Sequence, residues 1–177
     1  MVTCDGVRQR PALFLACTGL TVEEFDALYL SFLAAWDEYR KKNYVNAGGG
    51  SPKLPEVKDK LFFILFYYKV YPIQAAMGVI FGISQSQVCT WIHALTPVIR
   101  RALGIENCLP ERNPRKLKEV LDMCALHDFL IDGTERERQR PSDHDEQKDF
   151  DSGKQKAHTY NNIVIVHEQD QTVAYLS

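Results

Sequence analysis

The chain has 177 residues, 45% of them hydrophobic and 25% charged, which is enough for a sizeable core and falls between one domain and two. Its five cysteines (Cys4, Cys17, Cys89, Cys108, Cys124) are odd in number, scattered and never spaced Cys-x-x-Cys, which argues against a disulfide framework or a zinc ribbon. A net charge of −2 hides a block pattern: from Arg40 to Arg101 nine Lys and Arg meet two acids, Glu56 and Asp59, while after residue 110 ten basic residues meet fourteen acidic ones.

A basic middle suits phosphate and an acidic end suits a metal, although solvated helix faces explain the same charges equally well. The early apolar run Ala12 to Cys17 is too short for a membrane span and no small-residue cleavage pattern follows it, so the chain reads as cytoplasmic and not membrane-bound. Thr21-Val22-Glu23-Glu24 is a capping box, and Phe25, Leu28, Tyr29, Phe32, Leu33 and Trp36 behind it recur at helical spacing. Asn46-Ala47-Gly48-Gly49-Gly50-Ser51-Pro52 predicts a flexible connection. Pro55 then fits the first turn of a helix whose buried stripe is Val57, Leu61, Ile64, Leu65 and Tyr68, ending near Tyr71 before Pro72.

Ile73 to Phe81 reads as a short helix closed by Gly82, and Ser84-Gln85-Ser86-Gln87 is a second capping box opening a helix through Leu95. Gly78 would let the two helices approach and Gly82 would make the turn, with Val88 and Trp91 facing inward. That phase turns Gln85, Ser86, Cys89, Thr90 and His93 outward, as short or amide side chains suited to base edges and phosphates. Gln85 is the best placed for base readout, and Arg100 and Arg101 for phosphate. An ordinary helical hairpin in an all-α core is the other reading of this segment.

Beyond Pro97 and Gly104, Asn113-Pro114 opens a helix with Leu117, Val120 and Leu121, and then the texture changes. Leu126 to Ile131, Asn162 to His167 and Thr172 to Leu176 read as strands, separated by a charged stretch from Arg136 to Gln155 expected to form a mobile loop. Phe129-Leu130-Ile131-Asp132-Gly133 looks like an apolar strand ending in a carboxylate. Such a residue is either a plain turn former or an aimed ligand for Mg²⁺, which takes hard oxygens while holding substrate phosphate.

In their order these features resemble the DDE transposases of bacterial insertion sequences, of the kind whose catalytic domain is akin to the eukaryotic Harbinger type. The resemblance runs from Thr18-Gly19-Leu20-Thr21 through Leu61-Phe62-Phe63-Ile64-Leu65, Phe81-Gly82-Ile83-Ser84-Gln85-Ser86 and Trp91-Ile92-His93 to Ile131-Asp132-Gly133-Thr134-Glu135-Arg136, Arg140-Pro141 and Ser152-Gly153-Lys154-Gln155-Lys156-Ala157-His158-Thr159. It implies that Asp132 is the catalytic and metal-binding first carboxylate of three, that Lys154 and Lys156 lie near DNA, and that an RNase H-like fold begins near residue 126. Its second and third carboxylates are expected beyond Ser177, so Mg²⁺ is expected only in a completed site.

The resulting expectation is an α+β chain. Residues 1–110 form an all-α DNA-binding domain with its helix-turn-helix at 72–95, and residues 111–177 supply the first three antiparallel strands of an RNase H-like domain. Its partners would be double-stranded DNA at transposon ends, and a downstream transposase fragment or a second copy. Two other readings stay open: a DNA-binding regulator or decayed transposase fragment without chemistry, and an unrelated phosphohydrolase using Asp132 with Asp143, Asp145 and Glu146.

Overall fold

A computed structural model of the chain describes residues 2–43, 54–123, 128–137, 139–140, 142–149, 151–152, 157–168 and 172–177. The glycine-rich connection and Lys154 and Lys156 lie outside the described residues. The chain divides into two compact units, Met1–Cys108 and Leu109–Ser177, against an expected division after residue 110.

The first unit is helical: α1 (Cys4–Arg8), α2 (Pro11–Thr18), α3 (Val22–Lys42), α4 (Val57–Val70), α5 (Gln74–Phe81) and α6 (Gln85–Ile105). The first two were not read from the sequence. Thr3 caps α1, while α2 starts on Pro11 and ends on Gly19 at φ 76°. The capping box of α3 is formed as expected, and Phe25, Leu28, Phe32 and Trp36 are buried along its length. Pro55 precedes α4 instead of opening it, because Glu56 is the N-cap. The expected stripe on α4 is too narrow: Phe62, Phe63 and Phe66 are buried as well, whereas Tyr68 is exposed. A helix buried nearly all round belongs at the centre of its unit, and the ring pairs Phe14–Phe62 and Phe62–Phe81 tie α4 to α2 and α5.

Helix α6 was expected to stop at Leu95 but runs ten residues further, through Pro97 and Gly104. An interior proline removes a backbone hydrogen bond and costs about 3 kcal/mol. The apolar row Val88, Ile92, Leu95, Ile99 and Ala102 continues across it in phase and is buried throughout, and each Val, Ile or Leu of the row returns about 1.5–3 kcal/mol on burial. Packing therefore overrides the local signal.

The second unit carries a 3₁₀ turn (Pro114–Lys116), α7 (Leu117–Met123), β1 (Phe129–Glu137), α8 (His144–Asp149), β2 (Asp151–Ser152), β3 (Ala157–His167) and β4 (Val173–Leu176). The sheet has four strands, not three, all antiparallel about β3: β1 pairs along one edge, β4 and the short β2 along the other. Within the stretch expected to be a loop, α8 and β2 are formed. The first strand is also longer than expected, since pairing continues from Phe129↔His167 to Glu137↔Thr159. Backbone hydrogen bonds to a long partner strand are indifferent to the polar side chains that made residues 133–137 look like a turn. Asp132 consequently lies in mid-strand opposite Val164, and Gly133 is an extended strand residue opposite Ile163.

Candidate nucleic-acid interface

The geometry of α5 and α6 is set by two glycines and a cap. Gly82 ends α5 in the left-handed conformation, φ 65°, and its amide and that of Ile83 close onto the last carbonyls of α5. Gly78 is where the backbones meet: a Cβ there would stand 2.7 Å from the Ile83 carbonyl oxygen. Across this turn the helix axes bend by 96°, within the range of a helix-turn-helix. Ser84 Oγ accepts from the Gln87 amide at 3.2 Å and Gln87 Oε1 accepts from the Ser84 amide at 3.0 Å. The cap occupies Gln87 and leaves Gln85 to solvent.

Gln85, Ser86, Cys89, Thr90 and His93 all line one open trough of about 880 Å³, together with Ala94 and two residues from elsewhere, Tyr39 of α3 and Gln74 of α5. None of the lining side chains carries a carboxylate, so nothing in the trough itself repels an anion. Gln85 and Ser86 sit in the first turn of α6, where unpartnered backbone amides attract phosphate oxygens. The Thr90 hydroxyl donates to the Ser86 carbonyl at 2.9 Å and keeps its lone pairs for a donor. Arg100 is exposed further along the helix, but Arg101 is engaged: its Nε lies 3.5 Å from Glu38, which also accepts from Lys42 Nζ at 2.8 Å. Those bonds, first the one from Lys42, hold the Glu38 carboxyl below its ordinary range.

Gln74 reaches the trough from the first turn of α5, and Tyr39 and Glu38 escaped the sequence reading because their place depends on how α3 packs on α6, which no local spacing reveals. Behind the trough, buried Lys60 was missed for the same reason. Its Nζ lies 5.4 Å from the Trp36 ring centre and 5.5 Å from that of Trp91, and donates to the Leu54, Pro55 and Glu56 carbonyls at 2.5, 3.1 and 3.3 Å. Burial pushes its ammonium below the usual lysine value.

Asp132 is exposed on β1 and shares a sheet face with Leu130, Val164 and Val166. Glu135, an odd number of positions away, projects to the opposite face. Among the described residues no group of three or more His, Cys, Asp or Glu side chains could hold a metal ion. Asp132 thus offers one hard oxygen ligand, and the described side chains do not by themselves make up a Mg²⁺ cage.

No single helix among the described residues is long and apolar enough to cross a membrane. No solved structure matches the chain. Residues 52–105 match the helix-turn-helix of DDE superfamily endonucleases. A probable transposase for insertion sequence element IS702 of Microchaete diplosiphon is 26% identical over 164 residues, an alignment covering 92% of this chain and 54% of that relative. The chain thus spans about half the length of the curated relative it matches. Both similarities support a coarse statement, that the chain is transposase-like, and α4, α5 and α6 all lie within the residues that match the helix-turn-helix.

Proposed function

We propose that the chain is the DNA-binding N-terminal portion of an insertion-sequence transposase of the Harbinger-like DDE kind, acting on transposon-end DNA in the cytoplasm. The observation that carries this reading is the trough: five outward residues of α6, chosen by phase alone, share one carboxylate-free concavity at the start of a helix. A major groove about 12 Å wide admits such a helix. Gln85 then meets base edges as a paired donor and acceptor, Ser86 and Thr90 lie against the strand, and His93 and Arg100 take phosphates further along.

The second unit is proposed to begin an RNase H-like catalytic domain. The antiparallel β1–β3–β4 arrangement supports this, as does an exposed Asp132 on the edge strand. Asp132 would be one carboxylate ligand of a Mg²⁺ site, with its remaining ligands outside the described residues. Lys154 and Lys156 would lie beside substrate DNA. A bound metal would supply charge neutralisation at the scissile phosphate; Asp132 would hold it by one carboxylate oxygen.

The test is selection of bound sequences from a random duplex pool by the full chain. A shared motif should emerge with the wild type and lose definition with Gln85→Ala. A pool that stays random with both proteins would contradict readout by α6.

A further inference from the structure

The trough has a second wall, and it lies outside residues 52–105. Tyr39 contributes to the trough, and its ring is stacked on Trp36 at 5.7 Å with planes 15° apart. Trp36 in turn lies 6.2 Å from Trp91 of α6, so this wall is braced by an aromatic row. A smaller concavity of about 160 Å³ includes Tyr39 and continues between Ala35, Glu38 and Lys42 of α3 and Pro97, Val98 and Arg101 of α6.

Two cations on two different helices converge there on a single carboxylate. Lys42 Nζ takes one oxygen of Glu38 and Arg101 Nε approaches the other. All three side chains remain accessible, at 71%, 63% and 45% relative exposure for Lys42, Arg101 and Glu38. To an ammonium and a guanidinium, a carboxylate and a phosphate present the same kind of acceptor. Exposed ion pairs of this sort add little to stability, whereas a duplex phosphate gains the release of its counterions on binding. A phosphate can therefore take the place of Glu38.

We infer that Lys42 and Arg101 form a phosphate-binding wall beside the recognition helix, with Glu38 standing in for the phosphate in the free chain and Tyr39 backing the sugar–phosphate strand. The inference rests on α6 being the DNA-contacting helix and extends it to the strand that passes along the end of α3. Arg40 and Lys41, in the same last turn, make the approach basic. Glu38 accordingly opposes binding, which a purely structural carboxylate would not do.

The experiment is a fluorescence-anisotropy titration of the full chain on labelled duplex DNA over a series of salt concentrations. Wild type is compared with Lys42→Ala, Glu38→Gln and Asp26→Asn. Asp26 is the control, because it lies twelve residues earlier on α3, roughly 18 Å away, paired with Arg8, and its loss changes net charge equally. Glu38→Gln should bind severalfold more tightly whatever the sequence. Lys42→Ala should bind severalfold more weakly, with the salt slope reduced by about 0.9. Asp26→Asn should match wild type. If wild type binds but Glu38→Gln gains no more than Asp26→Asn, or Lys42→Ala keeps the full slope, the wall is overturned while the helix-turn-helix reading stands. If wild type binds no duplex at low salt, both fall.

Discussion

Gln85 is the side chain on which sequence discrimination should turn, because the cap engages Gln87 and the trough leaves the Gln85 amide free to pair with a base edge. Gln85→Ala is expected to cost about 1–3 kcal/mol on the preferred site and little on scrambled duplex. Arg100→Ala, losing only charge, should weaken both alike; competition titrations with the two duplexes separate these outcomes. The outward set from Gln85 to His93 was legible because the Ser84 cap fixes where the helix starts and a 3.6-residue period then fixes its faces. Arg101 was legible as a cation but not as the partner of Glu38, which lies 63 positions away in the chain. Asp132 was misplaced for a different reason. A glycine followed by polar residues reads as a turn, and only the pairing with β3 shows that the strand continues.

The elements around Gly78 and Gly133 demand opposite things of a glycine. A methyl at Gly78 would press on the Ile83 carbonyl oxygen, a backbone atom that cannot move without opening the turn. Gly78→Ala should therefore cost about 1–3 kcal/mol in urea unfolding and weaken DNA binding with it. At Gly133 nothing lies within 4 Å of the added methyl, so Gly133→Ala should be neutral or stabilising by about 0.5–1 kcal/mol, through the loss of chain entropy. Were Gly133 a turn residue, the substitution would destabilise instead. The clamp at the start of α4 makes a further test. Buried Lys60 binds its proton less tightly when folded than at the ordinary value of 10.5, so between the two values the unfolded chain holds more protons. Its contribution to stability therefore rises as pH climbs towards 10.5. Denaturant titrations from neutral pH upward should show wild type gaining stability relative to Lys60→Met, and a constant difference would contradict this. The phase of α4 was legible, but not how much of it is buried. Its phenylalanines fill all sides because α2, α3, α5 and α6 surround it.

The two units differ in how much they bury. In Met1–Cys108, Phe14, Phe25, Phe32, Phe62, Phe63 and Phe81 are each fully buried in one continuous core. In Leu109–Ser177 the buried residues among those described are Ile165, Tyr175 and Thr159, while Leu130 and Ile131 on β1 are 55% and 68% exposed. Leu130 and Ile131 point to opposite faces of β1, so each face carries an exposed apolar side chain, and the outer edge of the strand has no partner among the described residues. Hydrogen exchange should find the amide of Ile165 at least about tenfold less protected than that of Ile64, since local opening follows buried apolar area. Equal protection would mean that the sheet is covered in a way the described residues do not account for. The division into a helical half and a strand half was legible from texture alone, whereas the fourth strand and α8 were hidden by charged, short segments with little apolar pattern. The central claim, that α6 meets DNA across the trough, is tested most directly by alkylation of the thiols in the full chain with and without saturating duplex. Cys89 is half-buried in the trough, and Cys108 lies exposed beyond the end of α6 in the same unit. DNA should slow modification of Cys89 and leave Cys108 unchanged. Bound DNA with Cys89 reacting as fast as in the free chain would contradict the account.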